Sequence, residues 1–267
     1  MVFKKAIAVL YILLGTPALS ALNGNPNFFD KTQLYITSSP LVTPLRKLLQ
    51  FITPLLNPHL KIKDCLANDD LQKIAQEAQT AVGIPTTQQV PLKRAEGTSF
   101  TGLEFYAATN CNGIFINQNS LAFKSYGLIR NVLHHEAIHY KYDDSIMAAL
   151  LAGASCLTID KISTKLIVRY IKGGPKSNIM AVICSLSAAV SAFGIVHRFN
   201  LYAEHRADIQ GAYATQCYKC VKEKIDYYND TLCSHGYASN KEFEAIKKIL
   251  KKKHLLCKHH AKKVMHS

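Results

Sequence analysis

The stretch HHEAIHYKYDD, residues 134–144, decides how the rest of the chain is interpreted. It contains two histidines that flank a glutamate at fixed spacing, His135-Glu136-x-x-His139. Apolar residues recur at helical spacing from Phe123 onward, which predicts a helix through the motif. Residues four apart lie on one face of a helix, about 6 Å from each other, so two imidazoles at this spacing can bind one metal ion.

Zinc is the metal that suits this pattern best. It favours nitrogen ligands in a tetrahedral site, and a catalytic site keeps one position for water. Zinc lowers the pKa of that water, and a nearby carboxylate can take its proton. The spacing therefore predicts His135 and His139 as metal ligands and Glu136 as the general base. Two ligands do not complete a site, so a third is expected from elsewhere in the chain.

The third ligand is predicted in the segment RFNLYAEHRADIQGAYA, residues 198–214. Glu204 and Asp208 are again four residues apart, in a stretch with helical periodicity. Glu204 is the candidate ligand. Asp208, one turn further on, can accept a hydrogen bond from the ring of a ligating histidine and fix its tautomer. The alternative is a solvated helix on which Glu204, Arg206 and Asp208 face water.

Taken together, the two motifs resemble those of the gluzincin metallopeptidases. HExxH followed by Glu204-x-x-Ala207-Asp208 is similar, within that group, to the membrane-associated family of the CAAX prenyl protease and the heat-shock protease HtpX. The resemblance covers about residues 83 to 214. The chain departs from the pattern at His205, where the family usually has an aromatic residue.

The resemblance implies a zinc metalloendopeptidase that hydrolyses peptide bonds. One zinc ion per chain would be bound by His135, His139 and Glu204, with Glu136 as the general base. It also implies that GIFIN, residues 113–117, is the edge strand that holds a peptide or protein substrate.

The expected fold class is α+β and mostly helical. Short strands are predicted at 90–95, 99–107 and 113–117, directly before the motif helix. By resemblance, this is a zincin-like core with a short antiparallel sheet and active-site helices. The predicted organisation is a signal peptide at 1–20, an N-terminal arm with helices at 21–82, a peptidase core at 83–214 that includes a hydrophobic helical hairpin at 145–196, and a Cys- and Lys-rich helical extension at 215–267.

Two apolar runs between the motifs predict association with a membrane. Residues 145–159 form a run of fifteen, and residues 178–196 form a run of nineteen, near the length that spans a bilayer. A hairpin with its basic connection in the cytoplasm would obey the positive-inside rule and place both motifs on the outer side. The alternative is a buried helical pair inside a soluble domain.

The N-terminus predicts export. MVFKKAIAVLYILLGTPALS, residues 1–20, has the charged, apolar and small-residue layout of a signal peptide, with an uncleaved anchor as the alternative. We therefore expect a membrane or periplasmic location. Outside the cytoplasm, disulfides are favoured for six of the eight cysteines, with no pairs assigned: Cys65, Cys111, Cys217, Cys220, Cys233 and Cys257. The alternative for Cys217-x-x-Cys220 is half of a zinc knuckle, and Cys156 and Cys184 are expected to be free and buried.

The formal charge of +14 leaves two other functional classes open. A basic balance suits anionic partners such as lipid headgroups, or it serves only as a solubilising surface. One alternative to the peptidase is a zinc-fold binding protein without catalysis. The other is a nucleic-acid binder, which we do not expect because the chain has no Trp, no recognisable nucleic-acid module and a predicted signal peptide.

Overall fold

The structure, a computed structural model, describes residues 26–56, 60–97, 107–110, 112–121, 124–170, 175–230 and 238–265. These residues form a mostly helical chain with a small β-sheet, which confirms the α+β, mostly helical class. The predicted signal peptide lies outside the described residues.

The elements follow one another in chain order with short connections. The helices are α1 (Pro26–Thr37), α2 (Thr43–Leu56), α3 (Asp69–Ala81), α4 (Gln118–Leu121), α5 (Tyr126–Tyr142), α6 (Asp144–Tyr170), α7 (Pro175–Ala214), α8 (Tyr218–Asp230), α9 (Asn240–Lys252) and α10 (Lys258–Met265). The strands are β1 (Leu60–Leu66), β2 (Lys93–Gly97), β3 (Ala107–Asn110) and β4 (Gly113–Ile116).

The sheet has the order β1-β2-β4-β3 and is mixed. β1 pairs antiparallel with β2, and β3 pairs antiparallel with β4, but β2 and β4 run parallel. The expected antiparallel sheet is therefore wrong for this central pair. After β2 the chain reaches the far edge as β3 and turns back at Asn110, so β4 fills the gap between them and runs in the direction of β2. The side chain of Asn110 accepts a hydrogen bond from the Asn112 backbone at 2.7 Å, which stabilises the turn.

The motif helix α5 has defined ends. Ser125 caps its start, since the Ser125 hydroxyl accepts a hydrogen bond from the Leu128 backbone at 3.2 Å. Asp143 ends it in the left-handed conformation, with φ of 54°. Helix α6 begins at the next residue, Asp144.

The chain divides into two compact units. The first comprises the described residues up to Thr43 together with Ser145–Leu201, and the second comprises Pro44–Asp144 together with the chain from Tyr202 onward. The second unit contains the sheet, α5, the end of α7 and the C-terminal helices α8, α9 and α10. Within it, α5 packs on α3, on α8 and on β3. One apolar core of this unit lies between the end of α7, α8 and α9 and includes Ala212, Val221, Ile225, Phe243, Ile246 and Leu250.

Most of the apolar helical sequence belongs to the first unit, while the end of α7, from Tyr202, belongs to the second. Val182–Ala214, the greater part of α7, is long and apolar enough to cross a membrane by length and composition. Only 12% of its most apolar stretch of 18 residues is buried. The run predicted at 145–159 lies in a shorter apolar helix, Asp144–Thr158. Among the described residues, only the second run of the expected hairpin therefore reaches spanning length.

Candidate metal centre

The structure brings the three sequence-predicted ligands together. Ligand atoms of His135, His139 and Glu204 all lie within 4.8 Å of one another. The Nε2 atoms of the two histidines are 3.0 Å apart, and Glu204 Oε2 lies 3.2 Å from His135 Nε2 and 3.6 Å from His139 Nε2. Atoms about 2.0 Å from a tetrahedral zinc would lie about 3.3 Å from each other. The three atoms therefore have the spacing of three corners of a zinc site.

Two helices supply these ligands, and a glycine allows their close approach. α5 presents His135 and His139 one turn apart, and α7 brings Glu204 to the same place. A Cβ built on Gly211 of α7 would lie 3.0 Å from the His135 backbone nitrogen and 3.1 Å from the His135 Cα. Any side chain at residue 211 would push against the backbone of the motif helix, because atoms in a packed interior leave no such room.

The ring of each histidine forms a hydrogen bond with a carboxylate. His135 Nδ1 donates to Asp208 Oδ1 at 3.0 Å, which is the partner expected from the sequence. His139 Nδ1 donates to Asp144 Oδ2 at 2.6 Å, a contact that the sequence analysis missed. A proton on Nδ1 leaves the Nε2 lone pair free to face a metal, and such carboxylates orient the ring and raise its basicity.

Both carboxylates are buried and have partners of their own. Asp208 is 2% exposed and accepts hydrogen bonds from Lys224 Nζ at 2.8 Å and from the Ala238 backbone at 3.2 Å. Asp144 accepts a hydrogen bond from the guanidinium of Arg206, which lies over the ring of Tyr142. Each negative charge is thus compensated in the interior, as buried charges require.

The ligand His139 is strongly basic in the metal-free protein. Burial alone would lower its pKa, but hydrogen bonds to Asp144 and Glu204 and the charge of Glu136 outweigh burial and raise the pKa to about 10. The pKa of His135 is raised against burial in the same way, by Asp208 and Glu204. The arrangement therefore attracts positive charge, either as protons or as a metal ion.

Glu136 is tied to the edge of the sheet. Its side chain is 8% exposed, and Thr109 Oγ1 lies 2.7 Å from Glu136 Oε2 and 3.0 Å from the Glu136 backbone oxygen. Thr109 belongs to β3, so this strand meets the helix beside the candidate general base. The sequence analysis did not single out Thr109.

The predicted edge strand is wrong. The first four residues of GIFIN form β4, which lies between β2 and β3, while β3 is at the edge among the described strands. Ile114, Phe115 and Ile116 are at most 1% exposed, whereas every residue of β3 is partly exposed. A continuous apolar segment belongs inside a sheet, because both of its faces must be covered.

Two histidines that are next in sequence to ligands, His134 and His205, are not part of the ligand set. His134 is fully buried, and its Nδ1 donates to the Arg130 carbonyl at 2.7 Å. Burial and the Arg130 cation lower the pKa of His134 to about 3, so the ring is a neutral part of the core. His205 contacts Glu242 at 2.9 Å on the surface.

The described cysteines contradict the predicted disulfides. Cys217, Cys220 and Cys257 are free and buried. With His260 they form a second group that could hold a metal ion, which we call the C-terminal cluster. Cys184 is free and partly exposed, and Cys156 is free but exposed rather than buried. Cys111 and Cys233 lie outside the described residues, as does the side chain of Cys65.

Comparisons of the chain with protein-family models, with curated proteins and with solved structures found no match. The candidate site consists of two imidazoles and a carboxylate that converge, with a further carboxylate hydrogen-bonded to each imidazole and a glutamate next in sequence to the first ligand.

Proposed function

We propose that this protein is a zinc-dependent metalloendopeptidase similar to the gluzincins. The observation that carries the proposal is the convergence of His135 Nε2, His139 Nε2 and Glu204 Oε2 within 4.8 Å. Two histidines and one glutamate are a ligand set of catalytic zinc, which keeps a fourth position for water. The C-terminal cluster has no such open position and does not suit this role.

The residues around the metal would have separate roles in hydrolysis. Bound zinc would polarise the substrate carbonyl and lower the pKa of a water molecule. Glu136 would act as the general base: its carboxylate would take a proton from the attacking water and pass a proton to the leaving amine. Thr109 holds Glu136 Oε2 and so fixes the orientation of the carboxylate. Asp208 and Asp144 keep both imidazoles in the tautomer that a metal requires.

The substrate we propose is an extended peptide that adds to β3. This strand is at the edge among the described strands, and its Thr109 contacts Glu136. An extended peptide beside β3 would form main-chain hydrogen bonds with the strand, as in other cases of strand addition. Such a peptide would lie near Glu136, because Thr109 of β3 contacts that residue.

We further propose that the protein is attached to a membrane with the peptidase site on the extracytoplasmic side. The support is the apolar segment of α7, whose large apolar side chains are exposed. Those more than 40% exposed are Val182, Ile183, Leu186, Val190, Phe193 and Ile195. Soluble monomers rarely expose many large apolar side chains close together, whereas the hydrocarbon of a bilayer would cover those of α7.

The decisive test compares the purified chain with Glu136→Gln. Both proteins, kept in mild detergent, are analysed for zinc and incubated with a library of internally quenched peptides. We expect both to bind zinc and the variant to cleave at least about 100-fold more slowly, since a general base contributes that much. His205→Gln, a surface substitution on α7, is the control and should cleave like the parent. A parent that binds zinc but cleaves no peptide would instead be a non-catalytic zinc-binding protein.

A further inference from the structure

The C-terminal cluster has no part in the proposed peptidase reaction. Its four side chains come from two segments that have the same ligand spacing. Cys217 immediately precedes α8 and Cys220 follows three residues later, while Cys257 immediately precedes α10 and His260 follows three residues later. Two pairs of ligands, each separated by two residues at a helix start, are typical of structural zinc sites.

We propose that the C-terminal cluster binds a second, structural zinc ion. His260 Nδ1 lies 3.3 Å from Cys217 Sγ, 3.6 Å from Cys220 Sγ and 3.2 Å from Cys257 Sγ. The Sγ atoms of Cys220 and Cys257 are 3.7 Å apart. In a tetrahedral site with zinc–sulfur bonds of about 2.3 Å and zinc–nitrogen bonds of about 2.0 Å, the corresponding separations are about 3.5 Å and about 3.8 Å.

The same distances argue against a disulfide. A disulfide bond joins two sulfur atoms at about 2.0 Å, and Cys220 and Cys257 are much further apart than that. The three sulfur atoms instead lie at similar distances from His260 Nδ1. Four ligand atoms around one central ion would have this arrangement.

The histidine is already oriented for coordination through Nδ1. His260 Nε2 donates to Glu223 Oε1 at 2.7 Å, so its proton lies on the side away from the sulfur atoms. Glu223 Oε2 in turn accepts a hydrogen bond from the Gly127 backbone at 2.7 Å. A carboxylate behind a histidine ligand is the usual companion of a zinc site, because it fixes the tautomer.

Burial and composition indicate zinc in a structural role. Cys217 and Cys220 are fully buried, and Cys257 and His260 are at most 8% exposed. Thiolates are soft ligands that prefer zinc to calcium or magnesium. Four protein ligands fill the coordination sphere, so no position remains for water or substrate. The ion would neutralise thiolate charge that the interior could not otherwise hold.

The cluster joins the C-terminal helices to the start of the motif helix. A Cβ on Gly127, in the first turn of α5, would lie 2.9 Å from the Cys220 Cα and 2.4 Å from Glu223 Oε2. Asn131 Nδ2 of α5 donates to the Cys220 carbonyl at 2.8 Å. We therefore assign the second zinc to fastening α8 and α10 against α5, the helix that carries His135.

Elemental analysis of the full chain tests the proposal. The parent, His139→Ala and Cys220→Ser are purified in detergent without chelators, with Cys156→Ser as the control at an exposed cysteine. We expect two zinc ions per chain in the parent and in the control, and one in each of the other variants. A parent with one zinc that His139→Ala removes would overturn the inference. If the parent binds one zinc and only Cys220→Ser removes it, the result would support the structural zinc site and contradict the proposed peptidase site.

A second measurement on the unchanged protein covers the case in which Cys220→Ser does not fold. The native chain is treated with iodoacetamide, with and without a strong chelator, and the labelled cysteines are identified by mass spectrometry. We expect Cys156 to react in both conditions, and Cys217, Cys220 and Cys257 to react at least tenfold faster once the chelator is present. Equal rates in both conditions, or recovery of these three cysteines as disulfides, would refute the second zinc site.

Discussion

His139 Nδ1 donates a hydrogen bond of 2.6 Å to Asp144 Oδ2, across the junction between α5 and α6. The contact depends on the residue between the two helices. Asp143 takes the left-handed conformation, ends α5 and turns the chain, so that Asp144 faces back toward a ring one turn earlier. The junction therefore contributes directly to the candidate metal site.

Removing the charge of Asp144 should weaken zinc binding at the peptidase site. Asp144→Asn keeps the shape of the side chain but loses the negative charge behind His139. We expect the dissociation constant for zinc to rise about tenfold, as for other substitutions behind a ligating histidine. Competition with a chromogenic chelator measures it. Asp143→Asn is the matched control, because asparagine tolerates the left-handed conformation, and its affinity should equal that of the parent.

Lys224 should be needed for stability, because it neutralises a buried carboxylate. Lys224 is 4% exposed and pairs with Asp208, which is 2% exposed. Lys224→Met removes the cation that lies 2.8 Å from the buried Asp208 carboxylate, and we expect the free energy of unfolding in urea to fall by about 3 kcal/mol. Lys222, on the same helix, pairs with Asp226 in solvent. Lys222→Met should therefore change the free energy of unfolding by less than about 0.5 kcal/mol, and equal losses in both variants would contradict the assignment.

Alanine at residue 211 should disturb both stability and metal binding. The added methyl group would meet the His135 backbone at 3.0 Å and force α7 away from α5. Overpacking of this kind costs about 1–3 kcal/mol, and here it would also displace Glu204 from the histidines. Gly153→Ala is the control, since nothing lies within 4 Å of its added Cβ and alanine is the better helix former. We expect the 211 variant to lose zinc and to unfold at a lower temperature than the parent, whereas Gly153→Ala should keep the zinc content of the parent and unfold at the same or a higher temperature.

Zinc binding at the peptidase site should release protons at neutral pH. With a pKa of about 10, His139 carries a proton at pH 7 in the metal-free protein, and coordination requires the neutral ring. We expect at least about one proton released per zinc. Titration calorimetry in two buffers of different ionisation enthalpy gives this number, on protein from which a mild chelator has removed only the weaker-held metal. Identical heats in the two buffers would show that no proton leaves and that the raised pKa is absent.

The hydroxyl of Thr109 should matter for catalysis and not for zinc. Thr109→Val removes the contact to Glu136 Oε2 while keeping the shape of the side chain. A hydrogen bond to a charged group is worth about 1.5–3 kcal/mol, so we expect kcat to fall about tenfold or more with unchanged zinc content. Thr109→Ser retains a hydroxyl and should retain most of the rate. A loss of zinc in Thr109→Val would show that the strand supports the metal and not the base.

The sequence reveals those parts of the site whose contacts are local in the chain. His135 and His139 follow from helical spacing alone, and Glu204 follows from its own spacing to Asp208. Asp144 could not be assigned, because its contact requires the left-handed turn at Asp143. The C-terminal cluster did leave a signal: Cys257-x-x-His260 repeats the spacing of Cys217-x-x-Cys220, but a search for cysteine pairs alone overlooks it.

The sheet illustrates the same limit. LKIK, residues 60–63, alternates apolar and polar residues, and the start of β1 could have been recognised from that period. The apolar character of β4 indicated a strand, but periodicity does not state which neighbours a strand has. Its interior place follows from the turn at Asn110 and from the return of the chain between β2 and β3. Pairing of this kind is a property of the whole sheet.

The separation of the ligands along the chain also determines when the peptidase site can form. His135 and His139 leave the ribosome first, and Glu204 follows only after α6 and most of α7 have been made. Closing so long a segment of chain is slow compared with the formation of a single helix, because distant residues must meet before their contact gains any energy. A nascent chain therefore carries the motif helix without its third ligand. Competence for hydrolysis would arise only after synthesis has passed the apolar segment.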